Sequence, residues 1–256
     1  MGEIIAIANQ KGGVGKTTTA INLCSALAVS ERKVLLVDLD PQTNATSGLG
    51  ANGSRVQNSI YQALLNEIEI EKIILDTEIP HLKLAPSSDQ LAGAEIELVS
   101  LPERETRLKQ ALSQVQSQFE FIIVDCPPSL SLLTINALVS AQSVLVPLQS
   151  EYYALEGLGR LLRTIQLVQE RLNPKLKLEG IIVTMFDKRN NLAWQVLDEI
   201  KRHFPKLLYQ TIIPRNVRLG EAPSFGKPII LYDINSQGAQ SYLELAREFL
   251  ERKGRG

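Results

Sequence analysis

Short, almost wholly apolar runs alternate along this chain with stretches whose apolar positions recur every three or four residues. Ile4-Ile5-Ala6-Ile7-Ala8, Val34-Leu35-Leu36-Val37, Phe121-Ile122-Ile123-Val124 and Gly180-Ile181-Ile182-Val183-Thr184 carry no polar alternation. Continuous apolar strands are buried on both faces, the habit of a parallel sheet covered by helices. Leu82-Lys83-Leu84-Ala85 reads as a short strand before Pro86. Ser143-Val144-Leu145-Val146 reads as one stopped by Pro147, and Leu208 to Ile213 as the last strand. Between them, Leu155, Leu158, Leu161, Leu162, Ile165 and Val168 follow helical spacing, as do Leu108, Ala111, Leu112 and Val115. Ala20 to Val29, Asn191 to Phe204 and Gln237 to Leu250 also read as helices. Strand and helix in alternation imply right-handed crossovers and an α/β, doubly wound, mostly parallel sheet flanked by helices. No repeat, low-complexity tract or linker divides the chain, so residues 1–256 are expected to form one domain; 48–58, the least regular stretch, is expected to be a surface connection.

The polar residues at the strand ends carry the chemistry. After the first strand comes Asn9-Gln10-Lys11-Gly12-Gly13-Val14-Gly15-Lys16-Thr17-Thr18, and then a helix. Strand, glycine loop and helix together make a phosphate-binding loop. Glycines keep Cβ atoms out of the way, so backbone N–H groups converge on phosphate oxygens, and the helix N-terminus adds partial positive charge. Lys16 supplies a mobile charge for the outer phosphates and Thr17 a hydroxyl for magnesium. Ligands in such sheets bind beyond the carboxyl ends of the strands. There the chain places Asp38-Leu39-Asp40-Pro41-Gln42 and Asp125-Cys126-Pro127-Pro128. Asp125 suits the water shell of a metal–triphosphate, and Asp38 or Asp40 suits an attacking water.

Bulk composition narrows the field only a little. With 256 residues and 44% hydrophobic content the chain can bury a large core. Its net charge of -1 means that any nucleic-acid contact must come from a local patch. The basic stretch 187–227 is the candidate, with Lys188, Arg189, Lys201, Arg202, Lys206, Arg215, Arg218 and Lys227. It shows no helix-turn-helix or zinc signature, so it would follow phosphates rather than read bases. The 2 cysteines, Cys24 and Cys126, lack metal-ligand spacing and suit buried thiols in a reducing compartment. The chain opens on a strand rather than a signal sequence, and no apolar run approaches the ~18 residues of a spanning helix.

One departure from the common loop pattern stands out: Gln10 occupies the place of the first glycine, and a second lysine, Lys11, sits at the loop mouth. With it, Lys11 to Thr17 resembles the deviant Walker A motif of the ParA/MinD group of ATPases. The resemblance continues through Val37 to Thr46, Asp125 to Ser129, Glu151-Tyr152-Tyr153-Ala154-Leu155-Glu156-Gly157, Ile213 to Arg218, and Glu221 to Pro228. It spans nearly the whole chain and points to the short chromosomal ParA branch, often called Soj.

The resemblance implies a P-loop fold of the deviant Walker A type and an ATPase of weak basal activity using ATP and Mg2+. Nucleotide would be held by Lys11, Gly12, Gly13, Val14, Gly15, Lys16, Thr17 and Thr18, with Pro214, Arg215 and Asn216 around the adenine. Thr17 and Asp125 would serve the metal, and Lys11, Lys16 and Asp40 catalysis. Lys11 would reach the partner's nucleotide in an ATP-dependent homodimer. Such a dimer would bind double-stranded DNA nonspecifically through Arg189, Arg218 and Lys227. A ParB-type centromere-binding protein would stimulate hydrolysis, in a cytoplasmic, nucleoid-associated cycle of chromosome or plasmid segregation. The absence of a leading DNA-reading segment speaks against the large plasmid type. A MinD-like membrane cycle is the alternative. It would need an amphipathic, basic C-terminal helix, whereas 242–253 carries three glutamates and suits docking onto the domain instead.

Overall fold

A computed structural model describes residues 2–51, 55–151 and 153–255. The strands are β1 (Glu3–Ile7), β2 (Val34–Asp38), β3 (Leu75–Asp76), β4 (Leu82–Ala85), β5 (Phe121–Asp125), β6 (Ser143–Gln149) and β7 (Lys177–Thr184). The longer helices are α1 (Lys16–Val29), α4 (Leu91–Val99), α5 (Arg107–Ser113), α6 (Leu132–Ser140), α7 (Ala154–Arg171), α8 (Asn191–His203) and α11 (Gln237–Arg252). Short helices α2 (Asn44–Gly48), α3 (Ile60–Leu64), α9 (Val217–Glu221) and α10 (Ile229–Tyr232) fill the connections.

Among the described residues the strands form one seven-stranded sheet in the order β3-β4-β2-β5-β1-β6-β7, parallel except for the antiparallel edge β3. The two-layer cover expected from the apolar runs is present. One face of β1 (Ile5, Ile7) packs under α1 and α11, and the other (Ile4, Ala6) packs with α5, α6 and α7. The central strands β1, β2 and β5 place their carboxyl ends side by side. Asp38 and Asp125 are opposite one another in register, and the phosphate loop leaves β1 next to Asp125.

The structure corrects three expectations. Pro147 does not stop β6, which runs through it to Gln149. In a strand the N–H and C=O of one residue point the same way, and the Pro147 carbonyl points toward the side β1 occupies, where it accepts from Asn9 Nδ2 at 2.8 Å. β1 has already ended there, so the missing N–H costs no ladder bond. Leu208 to Ile213 is not a strand. It touches the β7 edge at an isolated bridge between Ile181 and Leu208, and the N–H groups of Gln210 and Thr211 turn away to the Glu248 carboxylate, each at 2.9 Å. Residues 48–58 are only partly a surface connection: Leu49 and Ala51 are buried, while residues 52–54, like Tyr152, lie outside the described residues.

Candidate functional site

The phosphate loop owes its shape to two glycines with left-handed φ, Gly13 at 73° and Gly15 at 82°. Asn9 Oδ1 accepts from the Lys11 N–H at 3.0 Å and starts the turn. The Thr184 hydroxyl donates to the Val14 carbonyl at 2.8 Å and fastens the far side of the loop to the end of β7. Val14 is therefore buried behind the loop, while Gly12, Gly13, Gly15, Lys16, Thr17 and Thr18 border a cavity of about 350 Å³. Asp40 lines that cavity too.

A second cavity, of about 480 Å³, adjoins the first through Gly15, Thr18 and Met185. Pro214, Arg215 and Asn216 line it together with apolar groups, among them Ile213 and Val217. One continuous trough thus offers an apolar arm for a base and a glycine-lined arm for phosphates. Met185 at the junction holds a φ of 49°, a backbone state that nothing in the sequence announces. Gln42, Asn44 and Pro128 also line the phosphate arm. They lie within the same motifs as Asp40 and Asp125, shortly after acids whose chemistry spacing makes evident.

Two lysines serve different places. Lys16 is buried over the loop, its Nζ 3.3 Å from the Lys11 carbonyl, and burial lowers its pKa against the opposing pull of Asp125. Lys11 is exposed at the rim, and its ammonium pairs with the Glu151 carboxylate rather than entering its own cavity.

The acids divide as well. Asp38 is fully buried; burial pushes its carboxyl up to about 6, although it accepts from the Thr46 N–H, the Thr46 hydroxyl and the Asp40 N–H. It is thus occupied with the main chain, and Asp40 is the acid that faces the cavity. Asp125 is fully buried with both oxygens lacking a hydrogen-bond partner. Burial first, and Asp38 second, raise its pKa well above the ordinary range; the nearby Thr17 hydroxyl draws it partly back without closing a well-formed bond to either oxygen. An orphaned buried carboxylate beside a threonine hydroxyl fits a hydrated divalent cation completed by phosphate oxygens. No cluster of three acidic, histidine or cysteine side chains makes an all-protein metal cage among the described residues. Cys24 and Cys126 are buried, and burial pushes both thiols up, as suits inert core residues.

None of the expected DNA residues lines the trough itself, although Arg218 pairs with Glu221, which does. Arg189 reaches into solvent but is held by Asp187 through two bonds, at 2.9 and 2.8 Å. Those bonds hold the Asp187 carboxyl down at about 2. Arg218 pairs with Glu221 at 2.9 Å and lies 3.5 Å from Asp233, and Lys227 is exposed. Much of the basic stretch is thus answered by its own acids.

The chain resembles known proteins over most of its length. A family model described as an AAA domain matches residues 2–178. The chain is 57% identical to the chromosome partitioning protein ParA of Myxococcus xanthus, over 98% of this chain and 89% of that protein. It is 56% identical to the sporulation initiation inhibitor protein Soj of Bacillus subtilis, over 97% and 98%. Among solved structures, a cobyrinic acid a,c-diamide synthase from Mycobacterium smegmatis, with bound ADP and magnesium, superposes with a TM-score of 0.86 at 38% identity, covering 99% of this chain and 96% of that one.

Proposed function

We propose a DNA-partitioning cycle for this chain, which belongs to the ParA/Soj family of chromosome-partitioning ATPases. It is an ATPase that uses ATP and magnesium. The base occupies the apolar arm between Pro214, Arg215 and Asn216, and the phosphates occupy the loop from Gly12 to Thr18. Lys16 carries charge to the β- and γ-phosphates. Thr17 and Asp125 hold the cation, which neutralises phosphate charge, and Asp40 orients the attacking water.

The observation that carries the two-chain part of this reading is Lys11. It stands outside its own phosphate cavity, on an exposed rim, while Lys16 already serves that cavity. A lysine so placed can exchange Glu151 for phosphoryl charge in a second subunit, and bound phosphates supply the negative charge that draws two such rims together. ATP then acts as the dimerisation signal. Each subunit of the dimer contributes Arg189, Arg218 and Lys227 to one nonspecific DNA surface, so affinity rises steeply on pairing. A ParB-type partner stimulates hydrolysis and dissolves the dimer, and the protein cycles between nucleoid and cytoplasm.

Membrane cycling has no comparable support. The apolar face of α11, with Tyr242, Leu245, Ala246 and Phe249, is buried against the domain rather than offered to lipid. No helix among the described residues is long and apolar enough to cross a membrane.

The test compares oligomeric state and DNA binding in ATP, in ADP and without nucleotide. Dimer and DNA affinity are expected only with ATP. Asp40→Ala is expected to persist as a DNA-bound dimer with little turnover. Arg189→Glu is expected to dimerise normally yet bind DNA weakly. Normal DNA binding by Arg189→Glu across a salt titration refutes the surface, and dimers indifferent to nucleotide refute the cycle.

A further inference from the structure

Asp40 is gripped through its main chain by residues that never touch the trough. Its N–H donates to Asp38 Oδ1 at 3.1 Å, and its carbonyl accepts from the Ser87 hydroxyl at 2.8 Å. Asp38 Oδ2 accepts from the Thr46 N–H at 2.7 Å and from the Thr46 hydroxyl at 2.6 Å. That hydroxyl oxygen in turn accepts from the Ser87 N–H at 2.9 Å. The bonds close a ring, Asp40 to Asp38 to Thr46 to Ser87 and back to Asp40. It ties the end of β2, helix α2 and the segment after β4 into one unit.

Asp38, Thr46 and Ser87 are 0%, 3% and 2% exposed, and none of them borders the phosphate cavity. Asp40 is the ring member that lines the phosphate cavity, while Asp38 lies opposite Asp125 in register behind it. Inside the ring, Thr43 holds a φ of 56°, costly for a β-branched residue. Its N–H donates to the Asp40 carbonyl at 3.0 Å. Strain of this kind persists only where the surroundings over-determine the backbone, and here the ring supplies that constraint on both sides of Thr43. The Gln42 N–H donates to Asp40 Oδ1 at 2.9 Å, which makes Oδ2 the less encumbered oxygen of the acid that lines the cavity.

We infer that Asp38, Thr46 and Ser87 are positioning residues for hydrolysis, which aim Asp40 Oδ2 across the phosphate arm by fixing its peptide at both ends. The inference rests on the role given to Asp40 above. Thr46 is the critical link, because its hydroxyl donates to one ring member and accepts from another at once. A small misplacement of a group that aims a nucleophile is enough to cost a large share of the rate.

The experiment is single-turnover hydrolysis of ATP with Mg2+ and DNA, measured beside equilibrium ATP affinity. Thr46→Val keeps the shape and removes the hydroxyl. It is expected to slow hydrolysis about tenfold or more while ATP affinity holds. Thr46→Ser, which restores the hydroxyl, is expected to restore most of the rate. Ser87→Ala removes only the bond to the Asp40 carbonyl and is expected to lower the rate in the same direction; it carries the test if Thr46→Val does not fold. Wild-type hydrolysis in both Thr46→Val and Ser87→Ala, beside an inactive Asp40→Ala, overturns the ring. So does a loss of ATP affinity in parallel with the rate, or a Thr46→Ser variant as slow as Thr46→Val. Wild-type hydrolysis by Asp40→Ala overturns the assignment of Asp40 itself.

Discussion

Replacing Asp125 by asparagine is expected to stabilise the nucleotide-free protein and to remove its response to magnesium. Both oxygens of this buried carboxylate lack a partner, and Asp38 lies opposite in register on the next strand. A buried polar group left unsatisfied costs about 1–3 kcal/mol, more when charged. A neutral amide relieves the charge and the repulsion from Asp38. For a chain of this length 1 kcal/mol moves Tm by roughly 2–4 °C, so the free variant is expected to melt about 2–12 °C above the parent. Ligand binding acts the other way. At a concentration 100 times Kd, Mg·ATP stabilises the parent by about 2.7 kcal/mol, an increment that asparagine forgoes in large part. The gap between the two melting temperatures should therefore narrow when Mg·ATP is added, and invert where the amide gains less than the increment it forgoes. pH supplies an internal control. A carboxyl whose folded pKa lies above its unfolded value lends stability that is complete below the unfolded value and is lost as pH rises through the folded one. Asp125 and Asp38 both shift this way, Asp38 from about 4 when unfolded to about 6. The advantage of Asp125→Asn should then widen as pH rises. A free variant that melts below the parent, or equal Mg·ATP shifts in the two proteins, refutes the reasoning.

Two further expectations concern the frame around the site. At Gly180 a Cβ would sit 2.5 Å from the Tyr209 ring and 2.7 Å from the Leu207 carbonyl, so Gly180→Ala should destabilise by about 1–3 kcal/mol, read as a lower urea midpoint; an unchanged midpoint contradicts the packing there. Lys253 bridges Glu3 and Glu179, all three mostly buried, so Lys253→Met leaves two carboxylates facing each other and should cost up to about 3–5 kcal/mol; α11 should lose amide-exchange protection first, and unchanged protection contradicts the clamp.

The sequence made the sheet legible where strands are buried on both faces, because uninterrupted apolar runs such as 34–37 and 121–124 have no other use. It concealed elements whose character depends on remote partners. Helix α6 is apolar nearly all round, so no periodicity marks it. Strand β3 has two residues and exists through β4. Pro147 lies in a strand because β1 has ended beside it, and Leu208 to Ile213 fails as a strand because Glu248, from the last helix, takes two of its N–H groups. The site divides the same way. Glycines and lysines in one loop are readable from spacing alone. The choice between Asp38 and Asp40 is not, because the two acids stand two residues apart at one strand end, and what separates them is tertiary: Thr46 takes Asp38 while Asp40 lines the cavity.

The strand order also governs when the protein comes into being. β1 is synthesised first yet lies inside the sheet, paired at Glu3 with Phe121 and at Ile5 with Ser143, and α1 packs against α11 near the other end of the chain. At a ribosomal pace of about 5–20 residues per second, the apolar strand that launches the phosphate loop waits roughly 6–24 s for its first strand neighbour. Long-range pairing of this kind is slow and leaves that strand exposed while translation proceeds. A nascent or truncated chain therefore carries the whole nucleotide-binding motif without the means to shape it. Nucleotide competence is acquired late, when the middle and last segments close around a beginning made long before.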